Sequence, residues 1–288
     1  MAESLFLFTQ LEFPWALGPA DGRYLLRAEA GAQPEHVVVL GTLSAARAST
    51  TRRRLGTRRL GPEVDAEPAP AAVGTTRATI VDAVPLSTER QAQTWLSELD
   101  PERQATNAVA VLNRVLFAQR IASADPYVHE LSAAQALVIR AGWGEGYQVA
   151  DGHWLHAREL PLPEPRSRKR VAALRPQERL AELVSARGQT LICEELTLRA
   201  RLDLDQGRFA LAALELERAY AAALPELAAQ QRPDLAARLS ELEQLRAGVQ
   251  EQARAALPGD HERPSRELVQ QALERLEAAL RARTATGF

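Results

Sequence analysis

The sequence predicts an α+β protein. A mixed sheet-and-helix domain spans residues 1–162, and an all-α bundle of about four helices spans residues 176–284. Three observations predict this. The N-terminal part holds short β-branched and aromatic runs bounded by Gly, Pro and Asp. From Pro176 onward, apolar residues recur at spacings of three and four, with charges on the opposite face. Between them lies P-L-P-E-P-R-S-R-K-R, Pro161 to Arg170, whose three prolines and four basic residues mark a linker over 163–175.

The strands come first. Leu5 to Phe13 is aromatic and aliphatic and is closed by Pro14. Arg23 to Ala28 and Glu35 to Leu43 follow, and His36 to Leu40 is apolar on both faces, as in a central strand. Arg77 to Val84 supplies a fourth. Between the third and fourth, residues 45–76 carry six arginines from Arg47 to Arg59 and then a Pro/Ala run with Glu63, Asp65 and Glu67. This composition buries almost no apolar surface and predicts a disordered insertion.

Helices follow. Thr88 and Gln91 have capping-box spacing, and Asp100-Pro101 is an N-cap followed by Pro at the first helical position. The helix it starts is apolar around much of its circumference: Val109, Val111, Leu112, Val115, Leu116, Phe117 and Ile121. Such a helix packs against a sheet. Asp125-Pro126 restarts the pattern, Ser132 and Gln135 repeat the capping spacing, and Leu137 to Ile139 fit either a helix end or a short strand. In the last part, Leu180, Leu183, Val184 and Leu191 form one stripe, interrupted near Gly188. Phe209 to Leu224 is a second helix, Leu235 to Val249 a third, and Val269 to Leu280, after Pro264-Ser265, a fourth.

Composition narrows the class of function. The 288 residues are 46% apolar and 25% charged with a net charge of −2, so bulk charge attracts neither nucleic acid nor an anionic membrane. The single cysteine, Cys193, permits no intrachain disulfide, and no window is apolar enough to span a bilayer. The N-terminus lacks the pattern of a signal peptide, and a cytoplasmic location is expected. Of 35 basic residues only Lys169 is lysine, which reflects coding bias more than function.

The densest motif is R-A-G-W-G-E-G-Y-Q-V-A-D-G-H-W, Arg140 to Trp154. Its Gly142, Gly144 and Gly146 read G-x-G-x-G, without the spacing or following helix of a dinucleotide fold and without the Lys-Ser/Thr of a phosphate loop. Asp151-Gly152 predicts a tight turn between Tyr147-Gln148-Val149 and His153 to His156, a β-hairpin. On a strand, His153 and His156 point to opposite faces, which disfavours a metal site. Cys193 lies among acids that disfavour a thiolate, so it reads as a packing residue. Asp82, Glu145 and Asp151 have no evident partner for acid/base work.

Two resemblances accompany these patterns. Gln206-Gly207-Arg208-Phe209 with Ala212, Leu216 and Ala219 resembles the inter-helix turn and second helix of a tetratricopeptide repeat, over about twenty residues near 196–225. A true array of such repeats implies protein or peptide binding; one unit implies a helical hairpin. The stretch R-A-G-x-G-x-G-x-Q-V-A-D-G-x-W is similar to one shared by an uncharacterised protein family of high-GC bacteria.

The expected function is a non-enzymatic, cytoplasmic protein–protein interaction or scaffold protein, binding a protein partner or itself through the helical domain. No cofactor or metal is called for. Trp143, Tyr147 and Trp154 are candidate binding-surface residues, and Leu235, Leu242, Leu276 and Leu280 are candidates on the helical stripe. One alternative is a nucleic-acid-associated protein using Arg52, Arg53, Arg54, Arg58 and Arg59. Another is a small-molecule enzyme with a pocket beside the Gly/Trp hairpin.

Overall fold

The computed structural model describes residues 4–43, 74–162, 176–257 and 263–285. These fall into two compact units, one within residues 1–165 and one within 166–288. The α+β class read from the sequence holds.

The first unit is built on a six-stranded antiparallel sheet in the order β2-β3-β4-β1-β5-β6. The strands are β1 (Leu5–Phe13), β2 (Gly22–Arg27), β3 (Pro34–Leu43), β4 (Thr75–Asp82), β5 (Val138–Glu145) and β6 (His156–Leu160). β1 lies between β4 and β5, with Phe8 opposite both Val81 and Gly142. This interior place explains its composition, because Leu7, Phe8, Thr9, Gln10 and Leu11 are all buried whichever face they point to. Val138 and Ile139 join β5; in that strand Ile139 is fully enclosed against Leu11 and Leu160.

One face of the sheet is covered by α1 (Glu89–Glu98) and α2 (Pro101–Ser123). Thr88 Oγ1 accepts from the Gln91 amide and Gln91 Oε1 accepts from the Ser87 amide. Asp100 Oδ1 accepts from the amides of Glu102 and Arg103, so both helices start where their capping residues stand. α2 lays Ala105, Ala108, Val109, Leu112, Val115 and Leu116 on Leu11, Phe13, Val38, Leu40, Ala78 and Ile80. The helix, expected from the sequence to be apolar around much of its circumference and packed on a sheet, does pack on the sheet, but Ile121 near its C-terminal end is exposed. On the opposite sheet face, Phe8 and Val81 pack with Val149, which comes from α3 (Gly146–Ala150).

The second unit has α4 (Pro176–Val184), α5 (Ile192–Asp205), α6 (Phe209–Ala228), α7 (Ala236–Ala255) and α8 (Arg266–Ala285). The stripe from Leu180 to Leu191 is interrupted as expected near Gly188: Ala186 turns left-handed at φ 56° and α5 starts only at Ile192. α5 to α8 form an antiparallel ring in which α8 returns to α5: Arg201 Nε bonds Glu277 at 2.7 Å and Arg283 bonds Glu194 at 2.7 Å. Tyr220 of α6 crosses the interior and donates its hydroxyl to the Ala272 carbonyl at 2.8 Å. α6 runs one turn past the expected end at Leu224 despite Pro225, because that turn buries Leu227.

Candidate functional site

The Gly/Trp segment does not form the two-residue hairpin that its Asp-Gly pair predicts. Gly142 and Gly144 lie inside β5, and Gly146 to Ala150, including Tyr147, form α3. β5 and β6 do pair, with Trp143 opposite His156, but a longer connection joins them. Helix wins locally because it brings Val149 onto Phe8 and Val81, burial that an extended Tyr147-Gln148-Val149 cannot supply. The glycines answer to packing. A Cβ on Gly142 would sit 2.2 Å from the His156 carbonyl oxygen, and Gly152 adopts φ +84° directly over the Arg77 guanidinium.

The tryptophans divide. Trp143 is 0% exposed, packed with Leu7 and Ala92 and set 4.6 Å from the His156 ring; its indole Nε1 is buried without an acceptor among the described residues. It offers no surface. Trp154 is half-buried, its ring 5.5 Å from Phe8. Leu235, Leu242 and Leu276 are likewise interior and Leu280 packs beside them, so the stripe named as a docking candidate is the bundle core. Arg52, Arg53, Arg54, Arg58 and Arg59 lie outside the described residues.

The titratable candidates acquire partners. Asp82 faces His36 across the β3–β4 ladder at 3.5 Å, and burial raises its carboxyl above the ordinary range against the pull of that imidazole. Asp151 lies 3.9 Å from Arg23. Cys193 is enclosed; burial, then the Glu226 carboxylate beside it, pushes the thiol up, which fits a packing role. No group of three or more His, Cys, Asp and Glu among the described residues is placed to hold a metal ion. No helix among them is long and apolar enough to cross a membrane.

Glu226 has a structural task. Its two carboxylate oxygens accept from the Ile192 and Cys193 amides at 3.0 and 3.1 Å, capping α5 from α6. Burial pushes its pKa up, but the hydrogen bonds from Cys193 and Ile192, with Arg283 nearby, prevail and lower it. A lowered folded-state pKa contributes stability that is complete above the unfolded value and is lost as pH falls through the folded one. We expect the bundle's Tm to drop between about pH 5 and pH 3, and Glu226→Gln to flatten that slope, as read by circular dichroism melting.

An open cavity of about 380 Å³ lies elsewhere, between the β1–β2 loop and the segment after α2. Trp15, Leu17 and Gly18 form one wall; Asp125, Tyr127, Val128, His129 and Glu130 form the other. Pro14 ends β1 and turns Trp15 outward, its ring 6.0 Å from Phe13. α2 ends at Ala124 with φ 51°, and Asp125 Oδ1 then accepts from the Tyr127 amide at 2.9 Å, folding the wall into a tight turn. Asn113, fully buried in α2, holds it there: its amide donates to the Leu131 carbonyl and its Oδ1 accepts from the Leu131 amide, both at 2.9 Å. Gln135 Oε1 accepts from the Ser132 amide at the same end.

Sequence reasoning passed over this cavity because its two walls are more than a hundred residues apart. A signal was present: Asp125-Pro126-Tyr127 and Pro14-Trp15 each set an aromatic residue next to a chain-turning proline. No family profile, curated protein or solved structure matches the chain.

Proposed function

We propose that this is a non-enzymatic cytoplasmic protein–protein interaction or scaffold protein, with its docking surface on the outer face of α5. The observation that supports this reading is the division of that helix. Cys193, Thr197, Ala200 and Leu204 face the bundle interior, whereas Leu198 and Leu202, one turn apart, are 66% and 41% exposed. Single exposed leucines are common on any surface. Two on successive turns of a helix whose inner face is already satisfied make a short apolar stripe of the kind that accepts an amphipathic partner helix. The stripe belongs to the helical hairpin that carries the tetratricopeptide-like Gly207, Phe209, Ala212 and Leu216. The lone, enclosed Cys193 accords with a reducing compartment.

Affinity capture with the whole protein tests this. Leu198→Asp/Leu202→Asp is expected to keep the wild-type melting curve and to lose the captured partner, with affinity reduced by about tenfold or more. Equal capture by both proteins, or a wild type that stays monomeric and captures nothing, contradicts the reading.

A further inference from the structure

We propose that the cavity between Trp15 and Tyr127 binds an organic cation, an alkylammonium or guanidinium head group, with Asp125 as its counter-charge. The site is built before any ligand arrives. Asn113 locks Leu131 with a reciprocal pair of hydrogen bonds from inside the core, and the turn at Asp125 is closed by its own carboxylate. The opposite wall is fixed by Leu17, which is buried, and by Gly18, whose φ of +106° brings its backbone against Val128.

The chemistry of the walls selects charge. Trp15 is 38% exposed and Tyr127 82% exposed, so both rings remain open to a ligand entering the cavity they line. Their ring faces carry the negative side of a quadrupole and attract a cation lying over them. Among the described residues no group engages Asp125 Oδ2, since only Oδ1 is bound by the Tyr127 amide. The other charges close together: the Glu130 carboxylate, 2% exposed, lies 3.6 Å from Arg120, so the pair is nearly neutral as seen from the cavity. His129 is exposed at the rim and Gln135 is neutral. The balance left to the cavity is one negative charge beside two aromatic faces. A volume of about 380 Å³ admits a head group with several methyl groups or a short alkyl chain, with room to spare. Asp125 repels an anionic ligand and offers an uncharged one at most a hydrogen bond.

Two sources of such a head group exist, a free small cation and a Lys or Arg side chain of a partner. Tryptophan emission of the whole protein, titrated with choline, butylammonium, and end-blocked Gly-Lys-Gly and Gly-Arg-Gly, tests binding and distinguishes them. The expected result is a saturable shift with cations and a response at least about tenfold weaker to 3,3-dimethylbutan-1-ol, the uncharged counterpart of choline. Tighter binding of the peptides assigns the cavity to a protein segment; tighter binding of choline or butylammonium assigns it to a free ligand. Asp125→Asn weakens binding about tenfold and Tyr127→Ala about threefold, while Trp15→Phe removes the optical signal but not the heat of binding. An equal response to the uncharged counterpart overturns the proposal, as does an absence of saturation below about 10 mM or an unchanged affinity in Asp125→Asn. Should Asp125→Asn lose the fold with its turn, Tyr127→Ala decides, because that side chain stands in solvent.

Discussion

Trp143→Ala lowers the stability of the sheet unit by about 3–5 kcal/mol. The indole is fully enclosed between β1, α1 and β6, touching Leu7, Ala92 and the His156 ring, so its removal leaves a cavity in the core. Part of the loss is offset, because the buried Nε1 goes without an acceptor and its removal ends that desolvation cost. Trp154→Ala serves as the control. Its side chain is half-buried over Phe8, so its loss costs less. Denaturant melts followed by tryptophan emission and far-ultraviolet dichroism check both. A Trp143→Ala protein as stable as the wild type would mean that the residue sits at a surface after all.

Leu276→Ala destabilises the helical unit by about 2–5 kcal/mol. Leu276 is 0% exposed at the centre of the ring, among residues of α6, α7 and α8 such as Leu216, Leu242 and Leu273. The sequence presents it as part of an amphipathic stripe, a candidate for docking whose expected place is nonetheless the core. The structure makes it core, so the substitution acts on Tm first and on partner affinity only through unfolding. Leu198→Asp/Leu202→Asp shows the reverse pattern. Measuring both variants by melting and by partner affinity separates the inside of the bundle from its surface.

The elements that were legible in the sequence are those set by local chemistry. Asp100-Pro101, Thr88-Gln91 and the spacing-three-and-four stripes each carry their own instruction, and helices stand where they point. β1 to β4 were readable for the same reason, as β-branched and aromatic runs between turn residues. The failures come from tertiary contacts. Asp151-Gly152 favours a tight turn, yet Phe8 and Val81 reward a short helix that delivers Val149. Gly142 reads as freedom for the chain and is in fact a close approach of two strands, with the His156 carbonyl where a side chain would be. The cavity lined by Trp15 and Tyr127 left only two proline–aromatic pairs as a local signal, because one wall is residues 15–18 and the other 125–135, joined only by the fold.

The order of the sheet bears on how the chain assembles. β1 precedes both of its ladder partners in the chain, β4, which starts at Thr75, and β5, which starts at Val138. Until those residues have left the ribosome, Leu5, Leu7, Phe8 and Leu11 belong to an apolar strand that lacks its native ladder partners. The helical unit has no such delay: α5 meets α6 across a turn of three residues. Long-range pairing makes folding slow and short-range pairing makes it fast. The described helices, paired with near neighbours in the chain, are equipped to fold faster once synthesised than the sheet, whose central strand waits for distant partners.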